Sequence, residues 1–120
     1  MTGRVIGLAV LVMAAAGEPA FAHAFLQHAE PPVGGSVAAA PKEVAIDFTE
    51  PVEPAFSSIA VLDASGKDMD AGKVHTAPGN PRRLLIGLKP LKPGTYKVEW
   101  RAISVDTHRT QGNYQFTVAP

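Results

Sequence analysis

Tyr96-Lys97-Val98-Glu99-Trp100-Arg101 and Tyr114-Gln115-Phe116-Thr117-Val118 alternate apolar and polar residues one for one. Successive side chains of a strand point to opposite faces, so each stretch gives one face to bury and one to leave in water. Working outward, Val44, Ile46 and Phe48 alternate with Ala45, Asp47 and Thr49 in the same way. Ser58-Ile59-Ala60-Val61-Leu62 and Leu84-Leu85-Ile86-Gly87-Leu88 are short, more continuously apolar runs, also of strand length. Between these stretches stand Pro31-Pro32-Val33-Gly34-Gly35, Glu50-Pro51-Val52-Glu53-Pro54, Asp63-Ala64-Ser65-Gly66, Pro78-Gly79-Asn80-Pro81 and Lys89-Pro90-Leu91-Lys92-Pro93-Gly94. Each would break a helix or deprive a strand of a donor. Only Ser36 to Ala40 has room for a brief helical turn.

Several short strands separated by turn signals predict an all-β fold, an immunoglobulin-like Greek-key β-sandwich. A core of Val44, Ile46, Phe48, Ile59, Val61, Tyr96, Val98, Trp100, Phe116 and Val118 is adequate for one small domain, since burying a large apolar side chain contributes about 1.5–3 kcal/mol. Phe48 and Trp100 are read as core rather than as a ligand-stacking platform.

Composition narrows the functions. The 120 residues carry 11 Lys+Arg and 11 Asp+Glu, a formal charge of zero, with no basic stripe to follow a phosphate backbone. Nucleic acid is not an expected partner. The absence of cysteine excludes disulfides, thiolate zinc sites, iron–sulfur clusters and thiol nucleophiles. Ser57, Ser58, Ser65 and Ser104 lie in no nucleophile-elbow context and no glycine-rich phosphate loop is present, so the chain is not read as an enzyme.

The first residues are read as a targeting segment. A short basic start through Arg4, an uncharged apolar run from Val5 to Ala16 and the small residues of Ala20-Phe21-Ala22 make a secretory signal peptide over 1–22, cleaved after Ala22. The run is about 12 residues, short of the roughly 20 that a spanning helix needs, so no membrane span is expected after cleavage. The mature domain is then 23–120. Of three methionines only Met69 remains, too few for a thioether cluster of the kind that favours Cu(I).

Cleavage would also free the α-amine of His23, which can close on one metal together with its own Nδ1. Asp106-Thr107-His108 supplies a carboxylate and an imidazole two residues apart, projecting to one side if the backbone there is extended. Two imidazoles, an amine and a carboxylate suit a tetragonal Cu(II) ion. Zinc accepts the same donors, so ligand identity alone leaves it open.

Three separated motifs resemble the CopC family of periplasmic copper-resistance proteins: the start His23-Ala24-Phe25-Leu26 with Pro31 and Gly34, the stretch Ala40-Pro41-Lys42-Glu43-Val44-Ala45-Ile46-Asp47-Phe48-Thr49-Glu50-Pro51-Val52, and Tyr96 through His108 with Gly112 following. The resemblance implies a periplasmic Greek-key sandwich that binds one Cu(II) per chain through an N-terminal histidine brace. His23 would give its amine and Nδ1, Asp106 an oxygen and His108 a ring nitrogen, with Glu50 near the copper as a supporting or weak axial group. It also implies sequestration of copper, or its transfer to an inner-membrane CopD-type protein; the chain is separately expected to be a monomer.

The chain departs from that family in three places. Gly66 to His75 holds only Met69 and His75 where some members carry a methionine-rich loop for Cu(I), so no separate Cu(I) site is expected. Thr107 stands where glycine is usual, which would stiffen the turn. His28 is atypical, and is read as exposed without function or as an auxiliary ligand. Two rival functions remain at this stage: a histidine-brace copper oxidase or monooxygenase, and a metal-free immunoglobulin-like structural module. Against the first, Asp106 would occupy a position that dioxygen needs, and no flat aromatic surface for a polymer is evident.

Overall fold

A computed structural model describes residues 24–120; the segment 1–22 and His23 lie outside the described residues. Among the described residues eight strands form two four-stranded sheets. One has the order β1-β3-β6-β5, from β1 (Leu26–Glu30), β3 (Glu43–Phe48), β6 (Asn80–Leu88) and β5 (Asp70–Ala77). The other has the order β2-β8-β7-β4, from β2 (Ser36–Val37), β8 (Arg109–Val118), β7 (Gly94–Ile103) and β4 (Ser58–Leu62). Only the β5–β6 and β7–β8 connections keep the chain within one sheet, and every other connection carries it across to the facing one. This is the immunoglobulin-like Greek-key sandwich that the sequence predicts. Among the described residues no helix is long and apolar enough to cross a membrane.

The alternation of β7 and β8 does what its period requires. Tyr96, Val98, Trp100 and Ala102 are buried together with Tyr114, Phe116 and Val118, while Lys97, Glu99 and Arg101 face outward. From the facing sheet come Val44, Ile46, Phe48, Leu84 and Ile86. All ten residues expected in the core are buried. Trp100 meets Phe48 edge to face, ring centroids 5.2 Å apart and planes at 70°, a favoured geometry for aromatic pairs. The indole also lies over Gly112, its partner across the β7–β8 ladder. A Cβ at Gly112 would come within 2.7 Å of Trp100 Cζ2, so this ring position requires glycine.

Two local expectations are corrected. Ser36–Val37 is not a helical turn but a short strand, β2, pairing parallel with Thr117 and Val118 of β8. The one short helical segment among the described residues is a 3-10 turn at Pro54–Phe56, where Pro54 supplies the fixed φ that opens it. The stretch Gly66 to His75 is also not one loop, because β5 begins within it at Asp70. Met69 sits just before that strand, partly buried against the core.

Candidate metal centre

The chain turns from β7 into β8 over residues 104–108, and this turn holds two of the predicted donors. Ser104 pairs with Val52 in an isolated bridge, and the Val105 N–H donates to the Pro51 carbonyl at 3.1 Å. The Glu53 N–H donates to the Ile103 carbonyl at 2.8 Å. These three contacts bind the Glu50-Pro51-Val52-Glu53 segment along the end of β7. They bring the backbone around Glu50 beside the turn that carries Asp106.

Within the turn, His108 Nδ1 lies 3.3 Å from Asp106 Oδ1, with both side chains about half exposed. The route to this contact differs from the expected one. The pair meets across a bend, not along extended backbone: Thr107 has φ +72°, the left-handed region that favours glycine and burdens a β-branched residue. The Thr107 N–H donates to the Ser104 carbonyl at 2.8 Å, and its hydroxyl donates to the Asp106 carbonyl at 2.6 Å.

Ser104 lies beneath this bend, 1 % exposed. Its hydroxyl donates to Asp106 Oδ1 and its Oγ accepts the His108 N–H at 3.2 Å. Its own N–H donates to the His108 carbonyl at 3.0 Å. The Ser104 hydroxyl, followed by His108, holds the Asp106 carboxyl below the usual carboxylate range. A carboxylate kept ionised is a donor ready for a cation without first losing a proton. The sequence considered Ser104 only as a nucleophile and set it aside; a buried hydroxyl that braces a turn has no spacing signature by which to be found.

The described chain begins at the same end of the sandwich. Ala24 is fully buried, and its carbonyl accepts a hydrogen bond from the Thr110 hydroxyl, two residues beyond His108. Phe25 pairs with Thr49, the residue before Glu50: the Phe25 N–H donates to Thr49 Oγ1 at 3.0 Å, and the Thr49 N–H donates to the Phe25 carbonyl at 2.9 Å. The chain thus enters between the residue next to Glu50 on one sheet and the start of β8 on the other.

The remaining predicted residues sort as follows. His23 is outside the described residues. Glu50 is half-buried at the end of β3. His28 is turned to the outer face of its sheet, where its Nδ1 lies 3.2 Å from Asp47 Oδ2; the same oxygen accepts Arg83 Nη1 at 2.8 Å, and Arg83 Nη2 reaches Glu30 at 2.9 Å. That network is an ion-pair cluster on β1, β3 and β6. His75, on β5, has Nδ1 3.3 Å from the Lys73 carbonyl. Among the described residues no group of three or more His, Asp or Glu side chains converges to hold a metal by itself. Asp106 and His108 come together as a pair only, and a metal held there would need a further donor from elsewhere.

Comparison with known proteins bears on the metal. Residues 26–119 match the family model of the CopC domain. The chain is 39% identical over 106 residues to the copper resistance protein C of Escherichia coli, covering 82% of this chain and 83% of that protein. Its fold is similar to the crystal structure of CopC from Methylosinus trichosporium OB3b, with a TM-score of 0.76 and 41% identity over 82% of this chain and 95% of that one. It is also similar to PcoC, a methionine-rich copper resistance protein from Escherichia coli, with a TM-score of 0.70 and 37% identity over 80% and 98% of the two chains. With a matching domain across nearly all of its described length, a shared sandwich and relatives named for copper resistance, the chain belongs to the CopC family of copper proteins.

Proposed function

We propose that this protein binds one Cu(II) ion in the periplasm, after export and removal of residues 1–22, and sequesters it or hands it to an inner-membrane CopD-type partner. The ion would be held by the α-amine and Nδ1 of His23, a carboxylate oxygen of Asp106 and a ring nitrogen of His108. Glu50 would stand beside it as a supporting or axial group. The protein acts as a monomer and carrier, not as an enzyme.

The observation that carries this reading is the docking of Ala24. Its carbonyl is held by Thr110 while Phe25 is paired to Thr49. A residue joined to Ala24 therefore starts within one residue's reach, about 3.3–3.6 Å of extended chain, of a point fixed between the Glu50 strand end and the Asp106–His108 turn. The pair offers a single imidazole, His108, and an N-terminal histidine there would supply two more nitrogen donors. Nitrogen and carboxylate oxygen without thiolate suit Cu(II), which heads the divalent affinity order. The only methionine among the described residues, Met69, packs against the core, which gives no thioether cluster for Cu(I).

Hand-over to another protein is favoured by what surrounds this end. Phe25, Phe56 and Val105, three of the four exposed large hydrophobic residues among the described residues, lie respectively beside Thr49, on the 3-10 turn after Glu53, and next to Asp106. Apolar side chains gathered at one end offer a surface that a partner could cover.

The test begins with the mature N-terminus, determined by mass spectrometry. Cu(II) titration follows on the parent, His23→Ala, His108→Ala and a variant with one extra residue before His23. One tight equivalent is expected in the parent, lost or much weakened in the other three. If the extended variant binds as tightly as the parent, the amine is not a ligand and the brace is wrong. A second tight equivalent of Cu(I) would overturn the reading of the methionine-poor segment.

A further inference from the structure

Ser104 makes main-chain and side-chain hydrogen bonds into the turn that follows it. Its N–H and carbonyl close the loop, to the His108 carbonyl at 3.0 Å and from the Thr107 N–H at 2.8 Å. Its side chain has a different task. The hydroxyl proton goes to Asp106 Oδ1, and the oxygen takes the His108 N–H at 3.2 Å. One buried atom thus ties together the carboxylate and the backbone of the imidazole residue. Asp106 Oδ1 in turn faces His108 Nδ1 at 3.3 Å. The chain is continuous from a buried oxygen through the carboxylate to the ring.

Both tied side chains are about half exposed, on a bend whose central residue is in a conformation that is unfavourable for it. Left to themselves, an aspartate and a histidine in such a place sample several rotamers, and a metal that fixes them must oppose that entropy. Residues behind the ligands of a metal site remove this cost by fixing orientation in advance, and losing one typically weakens metal affinity about 10–100-fold. We propose that Ser104 is the positioning residue of this site: its buried hydroxyl presets the Asp106 carboxylate and the His108 ring in one arrangement before copper arrives. The inference rests on the copper reading of Asp106 and His108 given above.

The side-chain and main-chain contributions separate cleanly. In Ser104→Ala the two main-chain bonds that close the loop remain, while the ties to Asp106 and to the His108 N–H are lost. Ser104→Thr keeps the hydroxyl. Cu(II) affinity by competition titration and the Cu(II) electron paramagnetic resonance spectrum would be measured for the parent, both variants and His108→Ala, all in the mature full-length form. Ser104→Ala is expected to bind about 10–100-fold more weakly, with a changed parallel hyperfine splitting, and Ser104→Thr to restore both toward the parent. A purely structural role would lower thermal stability and leave the spectrum alone. Ser104→Ala matching the parent in affinity and spectrum, while His108→Ala loses copper, would overturn the Ser104 inference and leave the copper site standing. Parent and His108→Ala binding alike would overturn the site itself, and this inference with it.

A measurement on the metal-free parent needs no variant to fold. Three-bond Hα–Hβ couplings should show a single χ1 rotamer for Asp106 and for His108. Couplings averaged over rotamers would mean that nothing presets the pair, and would refute the proposal directly.

Discussion

At the scale of single residues, the described residues include one unfavourable side chain in the core and one on the surface. The Tyr114 hydroxyl has no hydrogen-bond partner among the described residues although Tyr114 is only 5 % exposed, and burial pushes its phenol well above the usual tyrosine range. A buried hydroxyl with no partner costs about 1–3 kcal/mol that a phenyl ring would not. Tyr114→Phe is therefore expected to raise stability by about 1 kcal/mol, read as a higher denaturation midpoint at unchanged m-value. Tyr96 shows the contrasting case, because its hydroxyl donates to the Lys92 carbonyl at 2.6 Å. Thr107, at φ +72°, is the surface counterpart, and here sequence and structure agree on the position but not on the reason. Thr107 for glycine suggested a stiffer turn; the geometry adds that the bend is what brings Asp106 and His108 into contact. Two residues apart is a spacing that either a strand or this bend can satisfy, so spacing could name the pair without giving its backbone. Ser104 was out of reach altogether, since its partners are fixed only once the turn has formed.

At the scale of elements, legibility followed how deeply a strand is buried on one side. β3, β4, β7 and β8 sit where one face meets the core, and their apolar residues mark them. β1 and β5 lie at the edges of their sheet, buried over fewer positions, and register shifts interrupt the ladders, one in β1–β3 and two in β5–β6. Backbone pairing holds such strands as much as side-chain burial does, and a one-dimensional pattern does not record pairing. β2 is too short to show any period. The β4–β5 connection was marked correctly by Asp63-Ala64-Ser65-Gly66, and the structure shows why. Asp63 Oδ1 accepts the Ser65 hydroxyl at 2.7 Å and the N–H groups of Ser65 and Lys67 at 2.9 Å each. The Ser65 hydroxyl, then the Lys67 N–H, lowers the Asp63 carboxyl below its ordinary value. A carboxylate depressed on folding contributes stability above its unfolded pKa, about 3.9, and that contribution is lost as pH falls through the folded value. Asp63→Asn keeps an acceptor oxygen but cannot titrate. Thermal melts from pH 6 to pH 2 should show the parent losing stability more steeply than Asp63→Asn below about pH 4; parallel curves would remove Asp63 from the account.

At the scale of the whole molecule, the two sheets are joined by an apolar core, and the proposed metal would add a second link. It would bind a half-site on the β7–β8 turn and a chain start that leads into β1, on the facing sheet. A ligand that binds only the folded form stabilises it by about 2.7 kcal/mol at a free concentration a hundredfold above Kd. For a domain of this length that corresponds to a melting temperature higher by about 10 °C or more. Calorimetry with buffered Cu(II) should show this rise in the mature protein and its loss in the variant extended by one residue. An equal rise in both would place the metal somewhere other than at the chain start. The direction of β8 has a consequence of its own. Arg109 begins this strand next to His108 and Val118 ends it, ten residues and about 30 Å away. The backbone therefore leaves the sandwich at the pole farthest from the Asp106–His108 bend. An affinity handle, a surface linker or a fused module attached after Pro120 would hold the molecule by its base and turn the proposed docking end outward, whereas the same addition in front of residue 23 would cap it.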